Sequence, residues 1–356
     1  MTRIAIVGAS GKLGGATLSA LLKHGLAPAS EIIALTSSTE KSSQTWTRLA
    51  EKGVEVRHAR FEDPATFESA LLGADVFFLV STPNIGLDFG VAMDYDGTTT
   101  TTAHQETEKG VAGPGREAHH KNAIDAAVKA GVRWIVYSSL AFGYSGGPGD
   151  ASKAGVMRAH LRTEAYLRDV VSVRHGVDVT ILREGLYNES WPLYLGYYEF
   201  DDASSSKGGN GEVEVVPLAG DGKICWTAIH DLGVASAVVL ADTRREYVGK
   251  TAYLSTRPDT AKSMVEIAQI VGRVRAREVK VEIVGREEHV RYYTEERGLP
   301  KPAVEWWVST YEALRDGECL VDDPTLETLL SRVGLVPIPV EDTIAAMDND
   351  QGSWKS

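Results

Sequence analysis

His160 and Glu164 stand four residues apart in a stretch with helical periodicity, so they share one face of that helix. A histidine titrates near neutrality, and a carboxylate that orients its ring makes it a candidate general acid. The same spacing also suits a purely structural pair. Ser138 and Ser139 end an apolar run, where a hydroxyl can meet a substrate carbonyl or cap a turn. Tyr187, Asn188 and Ser190 follow another apolar run, and Trp191, Tyr194, Tyr197, Tyr198 and Phe200 come directly after. Such aromatic density suits a flat apolar ligand or the core of a small domain. Tyr187 is the first choice for a cleft-facing ring and rivals His160 as proton donor.

These residues need a frame, and the pattern supplies one. Strand patterns occur at Arg3–Val7, Ile32–Leu35, Val54–His58, Val76–Val80, Trp134–Tyr137 and Val179–Leu182. Helical patterns lie between them at Leu13–His24, Thr45–Lys52, Pro64–Leu72, Ala118–Ala130 and Ser152–Val170. Strands apolar throughout, alternating with helices, predict a parallel sheet covered on both faces. Further on, Ile229–Ala241 and Ser263–Arg275 read as helices, Thr251–Ser255 and Val279–Val284 as strands, and Glu287–Gly317 as mostly helical. Leu87–Pro114, with five threonines in a row at Thr98–Thr102, breaks the rhythm as an inserted loop, either a lid or a surface excursion. Asp201–Gly211 reads as a surface loop.

Gly8, Gly11 and Gly14 punctuate the junction of the first strand and first helix, with Ser10, Lys12 and Leu13 between them. Glycines there allow a tight turn and a close approach of main chain to a diphosphate, and the helix N-terminus supplies N–H donors. The expectation is a nicotinamide dinucleotide. The second strand runs into Ser37 and Ser38 with Lys41 nearby, and no carboxylate occurs before Glu40. Hydroxyls and a lysine hold a 2′-phosphate, which favours NADP(H) while leaving NAD(H) possible. Asp63 follows the third strand, where adenine is commonly held, and precedes Pro64, where it also reads as a helix cap, the preferred reading. Ligands in this fold sit beyond the carboxyl ends of the strands, which brings Ser81, Thr82 and Ser138 to the nicotinamide ribose.

The glycine turn, Ser138-Ser139-Leu140, His160–Glu164 and the segment Leu182–Ser190 together resemble the NmrA-like family, an atypical branch of the short-chain dehydrogenase/reductase superfamily. The likeness is strongest to quinone-oxidoreductase-like and fungal members and covers residues 3–345 apart from the threonine-rich insertion. It implies an α/β fold: a Rossmann-type doubly wound parallel sheet with a smaller α/β C-terminal substrate domain. It also implies NADP(H) and a cleft holding the nicotinamide. Relatives include reductases of quinones and aromatic polyketides, and non-catalytic redox sensors; a fungal tailoring step in secondary metabolism fits the resemblance. Two positions depart from the pattern. Ser37 stands where relatives often carry arginine, and Arg60, beside Phe61, stands where an aspartate near adenine is usual. The superfamily's Tyr-x-x-x-Lys pair does not occur in this sequence.

The expected organisation is a dinucleotide-binding domain over 1–185, its sheet completed by about 224–256. Segments 186–223 and 257–348 form the substrate domain, with 87–114 inserted. A formal net charge of -12 without a basic cluster argues against nucleic acid or an anionic membrane. Cys225 and Cys319 match no metal or redox spacing, and His119 and His120 point apart on a helix, so no metal is expected. The expectation is a cytoplasmic monomer or homodimer that reduces a quinone, enone or ketone of an aromatic, polyketide-like molecule. The alternatives are an NAD(P)-sensing regulator and a redox-neutral isomerase or cyclase. If His160 is the acid, His160→Ala loses turnover and keeps cofactor affinity.

Overall fold

In the computed structural model, residues 2–38, 43–89, 115–144, 147, 149, 151–196 and 214–349 are described. The insertion's interior, Lys41, Tyr197, Tyr198, Phe200 and the Asp201–Gly211 loop lie outside them.

Seven parallel strands form the main sheet in the order β3-β2-β1-β4-β5-β6-β8. They are β1 (Ile4–Val7), β2 (Ile32–Thr36), β3 (Glu55–His58), β4 (Val76–Val80), β5 (Trp134–Leu140), β6 (Asp178–Glu184) and β8 (Thr251–Leu254). Order reverses at β1, where β2 lies on one side and β4 on the other. That crevice is where doubly wound sheets take their ligands. β1 and β2 are buried along their whole length, as the unbroken Ile-Ala-Ile-Val and Ile-Ile-Ala-Leu-Thr runs require of strands covered on both faces.

Two apolar clusters cover the sheet. One joins Ile4, Ile6, Phe78, Val136 and Leu182 to Leu18 of helix α1 (Lys12–Lys23) and to the helix Ile229–Leu240. The other joins Ala5, Phe77, Ile135, Tyr137 and Ile181 to Ile124 and Leu167. Gly233 sets the spacing on the first face: a Cβ there would stand 2.6 Å from Ala16 Cβ, so α1 and the helix Ile229–Leu240 touch backbone to backbone.

Beyond the sheet, β7 (Glu214–Leu218) and β9 (Val279–Ile283) pair in parallel. A third cluster holds Trp191, Tyr194, Trp226, Trp306 and Trp307. The sequence pattern did not show β7, because Pro217 interrupts a short run that follows a Gly/Ser-rich stretch.

Two helices differ from expectation. The helix predicted from Ser152 begins at Met157 and runs through a π-type stretch, Tyr166–Ser172, to His175. Its expected first turn is captured elsewhere: Glu318 accepts hydrogen bonds from Ser152 Oγ at 2.5 Å and Lys153 N at 2.9 Å. The Glu287–Gly317 stretch breaks at Gly298 (φ +70°) and Pro300 into separate helical pieces, the second being Lys301–Arg315.

Candidate active site

The β1–α1 turn has the build of a phosphate cradle. Gly8 sits at φ +67°, open to glycine at no steric cost. A Cβ on Gly14 would lie 2.4 Å from Gly8 O, so the turn folds against the helix only with glycine there. No side chain caps α1 at Gly11, which leaves its first-turn amides facing the crevice. Ser10 and Lys12 are exposed at this end. Leu13 is not a side-chain contact; it is buried in the core, and only its main chain belongs to the turn.

Strands β2 and β3 end together, since Ala59 N donates to Thr36 O at 2.9 Å. That puts exposed Ser37, half-buried Ser38 and exposed Arg60 on one rim. Ser38 Oγ meets Ser43 Oγ at 2.8 Å, and Phe61 packs on Phe67 with centroids 5.2 Å apart. Asp63 caps its helix, accepting from Ala65 N at 3.2 Å.

Ser81 and Thr82 are tied to a buried polar chain behind the sheet. Thr82 N donates to His120 Nε2 at 3.1 Å, so that nitrogen carries no proton. His120 Nδ1–H then donates to Thr163 Oγ1 at 2.8 Å, whose own proton goes to Ala159 O. Tyr137 OH lies 2.9 Å from His160 Nδ1. Burial pushes both histidines well below the ordinary imidazole pKa, and the Arg116 charge adds to it. Arg116 itself is buried against Asp88 at 2.8 Å, closing the base of the insertion.

His160 and Glu164 therefore do not form the expected dyad. Glu164 is fully buried and turned to Arg183, which reaches it with Nη2 at 2.7 Å and Nε at 3.0 Å. Ser139 Oγ donates to the same carboxylate at 2.6 Å. His160 is enclosed beside Tyr137 and Glu164 is ion-paired to Arg183, so the two are held in separate buried contacts.

The other face of β5 and β6 carries a different group. Side chains alternate along a strand, so Arg183 and Glu184 point to opposite faces. Glu184 is fully buried, and Tyr187 OH lies 2.7 Å from its Oε2. Burial pushes the Glu184 pKa up to about 8, against the pull of the Tyr187 and Ser138 hydroxyls. Tyr187 is raised too, first by burial and then by Glu184. Its ring is half-buried against the cluster that includes α1. The five candidate donors and orienters thus divide: His160, Glu164 and Ser139 lie behind the sheet, and Tyr187 and Ser138 lie on the α1 side.

Of the aromatic run, Trp191 and Tyr194 are core. Tyr194 packs on Trp307 with centroids 5.1 Å apart and on Trp226 at 5.6 Å. Asn188 is buried, its amide donating to Thr343 Oγ1 at 2.9 Å and Ile338 O at 3.2 Å, while Ser190 is half-buried. Glu189 accepts from Ile229 N at 3.1 Å, capping the helix Ile229–Leu240 beside Lys12.

The NmrA-like family model matches residues 1–313. The chain belongs to the NmrA-like family. Among curated proteins, this NmrA-like chain is similar to the NmrA-like family domain-containing oxidoreductase flvB of Aspergillus flavus. The two are 28% identical over 356 residues, covering 99% of this chain and 97% of the relative. It is 29% identical to quinone oxidoreductase 2 of Escherichia coli over 269 residues, 74% of this chain and 72% of that protein. Among solved structures, it matches an NADPH-dependent quinone oxidoreductase of E. coli complexed with NADPH, with TM-score 0.71 and 25% identity over 97% of this chain and 99% of that one. It also matches a Citrobacter triphenylmethane reductase, with TM-score 0.69 and 26% identity over 98% and 99% of the two chains.

Glu184, Arg183, Tyr137 and Arg116 were not singled out from the sequence as site residues. The signal available for the first two was the strand itself: extending β6 by two residues past Leu182 puts a buried acid and a buried base on opposite faces. Among the described residues, no three His, Cys, Asp or Glu side chains converge on a metal-sized site. No described helix is long and apolar enough to cross a membrane.

Proposed function

We propose that this chain is an NADPH-dependent reductase of a quinone, enone or ketone on an aromatic, polyketide-like scaffold. The observation that carries the reading is the uncapped Gly8–Gly14 turn with the Tyr187 hydroxyl on the same side of the sheet. The two supply a diphosphate cradle and a proton donor. Two relatives, a quinone oxidoreductase and a triphenylmethane reductase, support an aromatic substrate.

The residues fit the cofactor as follows. Amides of the β1–α1 turn take the diphosphate. Ser37, Ser38 and Arg60 take the 2′-phosphate on the rim of β2 and β3, where the strand ends in hydroxyls and not in a carboxylate. Ser81, Thr82 and Ser138 line the carboxyl ends of β4 and β5. When bound, the reduced nicotinamide supplies a hydride to substrate carbon. The chain's part is to hold the substrate oxygen at Tyr187, which gives up a proton as charge develops there. Segments 186–223 and 257–348 are assigned to holding the aromatic body. Partly exposed Tyr187 and Ser190 face it, in place of the core residues Trp191 and Tyr194.

The test is to mix the protein with NADPH and a panel of quinones and aromatic ketones and follow absorbance of the reduced nicotinamide. Consumption dependent on substrate is expected. Saturable NADPH binding without consumption across the panel would overturn the reductase reading in favour of a dinucleotide-sensing protein.

A further inference from the structure

Glu184 is an acid without a cation. Its side chain has no accessible surface, and among the described residues no lysine or arginine pairs with it. The groups facing it are named by the strand register: Leu140 and the Ser138 hydroxyl from β5, Leu254 from β8, and Tyr187 from the turn after β6. Tyr187 in turn feels Tyr194 and Glu189, and Lys12 of α1 faces Glu189. One oxygen, Oε2, contacts the phenol, and the other, Oε1, has no hydrogen-bond partner.

A lone buried carboxylate is costly, and taking up a proton removes the charge. The proton's place then decides what Tyr187 can do. An ionised Glu184 would accept the phenol proton and hold it away from the cleft. A neutral Glu184 donates from Oε2 to the phenol oxygen, and the phenol proton is free to point at a substrate.

We propose that Glu184 is a positioning residue and proton reserve behind Tyr187, handing its carboxyl proton to the phenol oxygen as Tyr187 protonates the substrate. This rests on the reductase reading. The balance is simple. Substrate carbon gains a hydride from reduced nicotinamide, and substrate oxygen gains the Tyr187 proton. The carboxyl O–H breaks as the phenol O–H is remade, and the carboxylate left behind is reprotonated from water. The substrate is reduced by two electrons and the nicotinamide is oxidised by two.

Two measurements test it. Infrared difference spectra of wild type against Glu184→Gln, without cofactor, are expected to show a neutral-carboxyl C=O band at pH 7 that fades with a midpoint near 8. Steady-state rates are expected to fall as pH rises through the same midpoint. In Glu184→Gln that limb disappears and kcat drops roughly tenfold to hundredfold, with KM for NADPH unchanged. Absence of the band at pH 7 overturns the proposal, as does a Glu184→Gln enzyme with wild-type rate and wild-type pH limb. If wild type consumes no NADPH with any substrate, the reductase reading fails on its own. The infrared band then still decides whether Glu184 holds a proton, without needing the variant to be active.

Discussion

Two glutamates sit back to back across β6, and their fates differ. Glu164 reaches the sheet beside Arg183 and is held by two of its nitrogens and by Ser139. Glu184, the next residue along the strand from Arg183, has hydroxyl neighbours instead, the Tyr187 phenol at 2.7 Å and Ser138. Both are fully buried. Burial works to lower the Arg183 pKa, but the Glu164 hydrogen bonds and charge outweigh it and raise the pKa. Burial alone raises Glu184. The contrast teaches that burial does not assign a role to a carboxyl group; its partner does. A matched base makes a fixed ion pair, and hydroxyl neighbours leave the carboxyl group without a counter-charge.

The largest expected effect comes from breaking the matched pair. Arg183→Met leaves buried Glu164 with Arg168, whose Nη1 lies 3.3 Å away, as its remaining cation, and is expected to cost about 3 kcal/mol in urea unfolding. Wild-type stability in that variant would show that the Arg183–Glu164 pair does not stabilise the fold. On the opposite face, Tyr187→Phe is expected to keep the fold and the affinity for NADPH while kcat falls about a hundredfold. Unchanged kcat moves the donor elsewhere. His160→Ala probes the network behind the sheet. It removes the hydrogen-bond partner of the Tyr137 hydroxyl and should cost about 1–3 kcal/mol of stability with turnover little altered. A loss of turnover without a loss of stability would return His160 to the role of acid.

The pH dependence separates the faces as well. An acid whose pKa rises on folding binds its proton more tightly in the native state. Stability contributed by Glu184 is therefore full below 4.5 and lost as pH rises towards about 8. His160 and His120 have lowered pKa values, so their contribution is present above 6.5 and lost as pH falls below it. Each group changes the slope by up to about 1.4 kcal/mol per pH unit. Glu184→Gln should remove the loss of stability between about pH 4.5 and 8 from a melting-temperature profile and leave the slope below 4.5 alone; an unchanged slope in that window would show that Glu184 does not hold its proton there. The smallest effect is at the rim. Ser37→Asp should weaken NADPH roughly tenfold against NADH, read from paired binding titrations.

The sheet and its glycine turn were legible because buried strands and phosphate turns leave local patterns. What was not legible depended on distant partners. Ser152 looked like a helix start, yet Glu318, far along the chain, takes it. His160 and Glu164 share a helical face as their spacing predicts, yet Tyr137 and Arg183 claim them separately. Trp191 and Tyr194 have the composition of a cleft and the surroundings of a core, and composition alone cannot separate the two. Glu184 is hidden because the apolar run of β6 stops at Leu182, while the strand and its alternation continue two residues further and send Glu184 to the α1 side.

The central claim is that the β1–α1 turn grips NADPH. Calorimetric titration of the wild type and Gly14→Val tests it most directly. Saturable NADPH binding to the wild type, tighter than NADH, is expected, and none to the variant, whose side chain would collide with Gly8 O. No saturation by either nucleotide in the wild type, or equal binding by a folded Gly14→Val, would contradict it.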